Sequence, residues 1–225
     1  MNTVQLIQPD LAIESILEEE LFDTIAGGLE RDGYVVLPAA LPHAVGEALL
    51  DHLASLNEQK FHRARVGRGR NRSKNQLVRK DQIHWIRDGE AHGASWLQWT
   101  NRLRNYLNRR LFLGLFSFES HFSLYEPGDF YRRHLDAFKG EANRVLSLVC
   151  YLNRGWEADQ GGQLLIYNPA DGSELTRVLP AFGTLVLFLS EEFPHEVLPT
   201  DRERHAVAGW FRLNTSIGDQ VDPPR

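Results

Sequence analysis

From Leu113 to Leu213 the chain is a succession of short apolar runs, each cut off before it could complete a helix. The runs are Phe116–Tyr125, Arg144–Asn153, Gln163–Tyr167, Leu175–Leu179, Thr184–Leu189, His195–Leu198 and His205–Leu213. Between them stand Pro127-Gly128, Gly161-Gly162, Pro169 with Gly172, Pro180 with Gly183, and Pro199. Proline removes a backbone donor and fixes φ, and glycine admits the positive φ of tight turns, so each pair ends a strand and turns the chain. Short strands at regular spacing with turn signals restrict this half to a β-sandwich or barrel.

Upstream the period changes. Leu11, Ile13, Ile16, Leu17, Leu21, Phe22 and Ile25 recur at near-helical spacing, which predicts an amphipathic helix over 11–30 whose acidic run Glu18-Glu19-Glu20 forms a solvated face. Tyr34–Leu37 reads as a strand stopped by Pro38. Pro42 opens a second helix to about Leu56, with Ala44, Val45, Ala48, Leu49 and Leu53 inward, and a third spans about Trp96–Leu111. Helices followed by strands make the fold α+β, a double-stranded β-helix (jelly-roll) barrel buttressed by N-terminal helices. The expected organisation is a single catalytic domain over 1–225. Residues 1–112 supply mainly helical support plus a basic covering loop at 60–80, residues 113–213 the jelly-roll core, and residues 214–225 a tail.

Lys plus Arg number 25 and Asp plus Glu 30, a net charge of −5. That balance argues against a dedicated nucleic-acid binder, which carries a basic footprint. One cysteine, Cys150, rules out an intrachain disulfide and a Cys-rich zinc site, and fits a reducing, cytoplasmic setting. The opening MNTVQLIQPD does not read as a signal peptide, and no apolar run has the length of a membrane span. The one block that departs from the mean is Lys60 to Lys80. Lys60, Arg63, Arg65, Arg68, Arg70, Arg72, Lys74, Arg79 and Lys80 fall there with Gly67 and Gly69 and no acid before Asp81. It reads as an extended loop or β-ribbon, either a solvated surface or a grip on a substrate protein or nucleic acid.

His134 and Asp136 stand at i and i+2 in Tyr-Arg-Arg-His-Leu-Asp, a spacing that turns both side chains to one face of a strand. Alone the pair is a weak signal. His195 in Phe-Pro-His-Glu opens a later strand, and Arg204 follows nine residues on, at the start of the next. Two imidazoles and one carboxylate from different strands form the ligand set that leaves open positions on a non-haem Fe(II) ion. An arginine deep in the same barrel can grip a carboxylate bidentately. His43, His52, His62, His84, His92, His121 and His205 lack partners at suggestive spacing and are given no role.

From about Lys80 to Arg212 the chain resembles the Fe(II)- and 2-oxoglutarate-dependent dioxygenases, specifically the prolyl 4-hydroxylases that act on hypoxia-inducible factor and their bacterial relatives. The resemblance is carried by the His134-x-Asp136 pair, His195 and Arg204 in order. Also matching are Tyr125 just ahead, the Val-Cys-Tyr151-Leu-Asn run, the Gly-Gly-x-Leu turn at Gly161 to Leu164, and Asn-Pro after Tyr167. Asp81-Gln-Ile-His-Trp-Ile resembles the family's substrate-covering loop region. The resemblance implies that His134, Asp136 and His195 bind Fe(II). It implies that Arg204 pairs with the distal carboxylate of 2-oxoglutarate, with Tyr151 donating to that same carboxylate and Tyr125 closing the cosubstrate pocket. Trp210 aligns with an aromatic that walls the substrate pocket and Arg144 with a basic residue at its entrance. The implied cofactors are Fe(II), 2-oxoglutarate and O2, and ascorbate is admitted.

The expectation that follows is a prolyl 4-hydroxylase acting on another protein, with elongation factor Tu a candidate, and releasing succinate and CO2. The resemblance leaves open whether such an enzyme senses oxygen or merely consumes it. Two alternatives stay open: a hydroxylase of a free amino acid or small metabolite, and a non-catalytic jelly-roll binding module. A nucleic-acid hydroxylase using the basic loop as a clamp is disfavoured by the net charge.

Overall fold

The computed structural model describes residues 9–56, 60–64, 78–87, 89–90, 93–137 and 143–214. Residues 65–77, the middle of the expected covering loop, lie outside them, as does the tail after Asn214. Among the described residues three α-helices, α1 (Pro9–Asp32), α2 (His43–Ser55) and α3 (Ala94–Leu111), accompany eleven strands. In chain order the strands are β1 (Tyr34–Leu37), β2 (His62–Arg63), β3 (Gln82–Ile86), β4 (Ser117–Tyr125), β5 (Tyr131–His134), β6 (Arg144–Tyr151), β7 (Leu164–Tyr167), β8 (Glu174–Val178), β9 (Leu185–Leu189), β10 (His195–Val197) and β11 (Arg204–Arg212). They form a major sheet in the order β1-β9-β6-β11-β4-β3-β2 and a minor sheet β5-β10-β7-β8. Every strand pairing is antiparallel. This is the α+β, double-stranded β-helix architecture expected from the sequence, with the helices on the outer face of the major sheet.

The two faces of the major sheet bury different things. Toward the helices, Leu146, Leu148, Cys150, Leu185, Leu187, Val207 and Phe211 meet Leu49 of α2 and Trp96, Trp99, Leu103 and Leu107 of α3. Toward the minor sheet, Tyr125, Tyr151, Val186, Phe188 and Ala206 meet Leu164, Ile166 and Val197. Strands covered on both sides read as continuous apolar runs, which is why Leu-Val-Leu-Phe-Leu of β9 shows no alternation.

Three expectations need correcting. Ile13, Ile16 and Leu17, placed on the buried face of the first helix, are exposed. The acidic face of α1 is not simply solvated either. Glu18 receives two hydrogen bonds from Arg102 of α3, at 2.6 and 2.8 Å, and Glu30 one from Arg110 at 3.0 Å. Finally, Gln82–Ile86 is a strand of the major sheet, paired with β4, where the resemblance suggested part of a covering loop. Among the described residues no helix is long and apolar enough to cross a membrane.

Candidate active site

The antiparallel register of β5 and β10 sets His134 directly opposite His195, and their ring centroids lie 4.2 Å apart. β5 ends at His134, so Asp136 is delivered by the bend that follows and not from a continuing strand. Its Oδ1 lies 3.5 Å from His134 Nε2 and its Oδ2 3.7 Å from His195 Nε2. One ligand atom from each of the three lies within 4.8 Å of the other two. The orientation of each group is set from behind. His134 Nδ1 donates to the Arg132 carbonyl at 2.8 Å and His195 Nδ1 to the Phe193 carbonyl at 3.0 Å, which turns both Nε2 lone pairs toward the aspartate. Ser147 on β6 donates to Asp136 Oδ2 at 2.6 Å and meets Ser190 at 3.0 Å, tying the bend to the major sheet.

Electrostatics favour the ligand forms. Burial works against an ionised Asp136, but His195, His134 and the Ser147 hydroxyl outweigh it and hold the carboxyl well below its usual range. Burial, reinforced by His134, pushes His195 down to about 4 and keeps it neutral. A neutral imidazole and an ionised carboxylate are what a metal ion requires.

Deeper in the barrel, Arg204 opens β11 directly opposite Tyr125 on β4. Its guanidinium lies 4.9 Å from the Tyr125 ring and 5.0 Å from the Tyr151 ring, and Nε donates to the Gly162 carbonyl at 2.8 Å. Gly161 and Gly162 both adopt positive φ, and a Cβ on Gly161 would stand 2.3 Å from the Pro199 carbonyl oxygen. The Gly-Gly turn is therefore a steric requirement for passing Pro199 while presenting the Gly162 carbonyl to Arg204. Burial pushes the Tyr151 hydroxyl up to about 12, and it is fully enclosed without a hydrogen-bond partner of normal geometry among the described residues. Between Arg204 and Trp210 the same face of β11 carries only Ala206 and Ala208. A buried arginine, an orphaned hydroxyl and a floor of small side chains suit an elongated dicarboxylate, so the residues present fit both a divalent metal and 2-oxoglutarate.

Trp210, paired in register with Ser147 and Glu119, brings this face to the mouth of the barrel. The Arg144 guanidinium stacks 3.7 Å over the Trp210 ring. Glu119 accepts from Arg144 at 2.8 Å and from Arg212 at 3.3 Å. His121 and Trp85 continue the wall, 5.4 and 6.4 Å from Trp210 between centroids. All eight residues singled out in the sequence thus fall into three adjoining groups: His134, Asp136 and His195; Arg204, Tyr151 and Tyr125; Trp210 and Arg144.

Sequence reasoning missed several supports. Ser147 within β6 and Ser190 just past β9 belong to no motif that marks them. Tyr131 stacks on His134 at 3.6 Å between centroids, and the Arg79 guanidinium lies 4.6 Å over Tyr131. Arg79 is held in turn by Asp81, which is fully buried, through bonds of 2.5 and 2.8 Å. The acid that ends the basic block was the available signal for that pair.

Comparison with known proteins agrees with this geometry. Residues 120–212 match the family described as the 2OG-Fe(II) oxygenase superfamily. The chain is 28% identical over 206 residues to prolyl hydroxylase EGLN3 of Homo sapiens, covering 87% of this chain and 84% of that protein. It is similar to the crystal structure of a Pseudomonas putida prolyl-4-hydroxylase at 40% identity, TM-score 0.76, over 85% of this chain and 98% of that one. The fold is also shared with a prolyl hydroxylase from Trichoplax adhaerens solved with a hypoxia inducible factor oxygen degradation domain peptide fragment. There the TM-score is 0.78 at 24% identity, covering 92% of this chain and 94% of that one.

Proposed function

We propose, from the premise that this chain belongs to the 2OG-Fe(II) oxygenase superfamily as a 2-oxoglutarate-dependent dioxygenase of prolyl hydroxylase type, that it hydroxylates a prolyl residue of another protein at C4. In this reading His134, Asp136 and His195 hold the iron, Arg204 and Tyr151 bind the far carboxylate of 2-oxoglutarate, and Tyr125 walls the cosubstrate pocket. Iron with 2-oxoglutarate and dioxygen supplies the oxidation of a C–H bond to C–OH, with succinate and CO2 as products. The chain supplies position and dryness. Arg204 neutralises a carboxylate away from the metal, fixing the cosubstrate's orientation, and Tyr151 gains the partner that its buried hydroxyl lacks. Trp210 and Arg144 shape the opening through which the target ring enters.

The single observation that carries the reading is the shared face of β11, which holds Arg204 opposite Tyr125 and Trp210 opposite Ser147, the residue whose hydroxyl donates to Asp136 beside His134 and His195. A protein substrate in preference to a free amino acid is supported by the half-exposed Trp85 beside that mouth and by the peptide bound to the Trichoplax relative. Elongation factor Tu is one candidate substrate, in a cytoplasmic setting that the single buried thiol suits. The whole chain acts as one catalytic unit.

The test offers the iron-loaded enzyme 2-oxoglutarate with proline-containing proteins or with free amino acids. Succinate release and a gain of about 16 Da on a prolyl residue, the mass of one inserted oxygen, are expected only with protein. Turnover with free amino acids alone would favour the metabolite reading. Bound metal without turnover on either would favour a binding module.

A further inference from the structure

On the helix side of the major sheet, away from the barrel, three other donors converge. His52 comes from α2, His84 from β3, and Glu90 from the segment between β3 and α3. His52 Nε2 lies 3.2 Å from Glu90 Oε2, and His84 Nε2 lies 3.8 Å from Glu90 Oε1. As in the barrel site, one ligand atom of each lies within 4.8 Å of the others. Donors at tetrahedral angles, each about 2.05 Å from a zinc-sized ion, stand about 3.3 Å apart, a separation that the 3.2 and 3.8 Å distances of this cluster bracket.

A hydrogen-bonded His–Glu pair accounts for only half of this arrangement. It explains His52 and one carboxylate oxygen. On the other side, His84 Nδ1 faces the Lys60 carbonyl at 3.2 Å, and a carbonyl can only accept, so the ring proton sits on Nδ1. The Nε2 lone pair is thereby turned toward Glu90. Nε2 is buried and has no hydrogen-bond partner among the described residues, and 3.8 Å is too long for one. An imidazole lone pair and a carboxylate oxygen facing each other are two acceptors in opposition, and a cation between them satisfies both. The Lys60 carbonyl stands to His84 as the Arg132 and Phe193 carbonyls stand to the barrel histidines.

The geometry points to a second metal site, for a divalent ion of the zinc class, formed by His52, His84 and Glu90 with water completing the tetrahedron. Two imidazoles and one carboxylate are a known zinc donor set, and Glu90, about one-third exposed, gives the ion an entry path. Such an ion clamps β3 and the segment after it onto α2. It acts at a distance on the substrate mouth, because Trp85 follows His84 on the opposite face of the same strand and packs on His121 at 5.1 Å.

The experiment titrates Zn2+, with Co2+ as the spectroscopic probe, into metal-free chain carrying His134→Ala and Asp136→Ala. One equivalent is expected to bind, to give the visible absorption of tetrahedral Co2+, and to raise the thermal midpoint. Adding Glu90→Gln or His84→Ala is expected to abolish all three effects. In the wild-type chain the expected count is two equivalents, falling to one with His84→Ala alone, which tests the site without disturbing the barrel. A triad variant that binds no zinc overturns the proposal, as does one that binds it equally with and without Glu90→Gln and His84→Ala. Circular dichroism of each metal-free variant separates lost binding from lost fold.

Discussion

Two groups of two imidazoles and a carboxylate lie on opposite sides of the same sheet, and they are built differently. In the barrel, His134 and His195 face each other across one strand pair, and each ring is pinned by a carbonyl of its own chain segment two residues earlier. Asp136 is pinned by Ser147 from the other sheet. On the helix side, His52, His84 and Glu90 come from a helix, a strand and a loop, and His84 takes its pinning carbonyl from Lys60, well removed in the chain. The difference teaches how a site becomes catalytic. Three ligands with fixed backing and an adjoining cosubstrate pocket can hold a metal in one geometry and leave coordination positions open, whereas ligands gathered from three elements tie those elements together.

The largest effect should separate the two groups outright. Asp136→Ala removes the anionic ligand of the proposed barrel site, and succinate release should fall to the level of enzyme-free controls while circular dichroism shows the variant folded. Measurable 2-oxoglutarate turnover in that variant would sink the assignment.

Arg204→Met should come next. It strands the cosubstrate's far carboxylate in a buried pocket, at a cost of about 2 to 5 kcal/mol, or roughly 30-fold to several-thousand-fold in KM for 2-oxoglutarate. Tyr151→Phe removes one hydrogen bond to a charged group, about 1.5 to 3 kcal/mol and roughly tenfold to hundredfold in the same parameter. Steady-state titration of 2-oxoglutarate measures both, and neither substitution should alter zinc binding at His52, His84 and Glu90. An unchanged KM in Arg204→Met would place the cosubstrate elsewhere.

Acid should weaken the barrel side of the sheet. Burial pushes both His195 and His121 from an ordinary value of 6.5 down to about 4, with His134 adding to the effect on His195 and Arg79 to that on His121. Between those values the unfolded chain binds more protons than the native one, so stability rises with pH across the window and is lost as pH falls through it. A shift of that size corresponds to about 3 kcal/mol for each imidazole. Urea unfolding of the metal-free protein at pH 7 and near pH 4 should reveal the loss, and His121→Gln should remove about half of it. An equal loss with and without His121→Gln would show that this imidazole is not the cause.

How much of this was legible in the sequence depended on chain distance and on polarity. The proposed barrel ligands could be found because His134 and Asp136 are near neighbours and the breakers placed His195 and Arg204 at the heads of successive strands. The central strands were legible because β6, β9 and β11 are apolar on both faces. By contrast, Tyr-Arg-Arg-His of β5 and Gln-Ile-His-Trp-Ile of β3 line the site or the sheet's edge and carry polar side chains, so no apolar pattern marked them as strands. His52, His84 and Glu90 meet only through the packing of α2 against the sheet, which no spacing encodes.

The smallest effect bears on what backing does for a ligand. Ser147→Ala leaves all three barrel ligands in place and removes only the hydroxyl that donates to Asp136. Loss of an outer partner of this kind typically weakens metal affinity about 10- to 100-fold, so the Fe(II) concentration for half-maximal activity should rise by that factor. At saturating Fe(II) the maximal rate should return to near the wild-type value, because the ligand set is intact. The carboxylate should also become easier to protonate, since one of the groups holding it ionised is gone. The iron requirement should therefore steepen at acid pH, toward the carboxylate range, in the variant more than in the wild type. If iron dependence is unchanged at every pH, the bend after β5 alone holds Asp136, and the contrast drawn between a backed site and a gathered one fails at its simplest point.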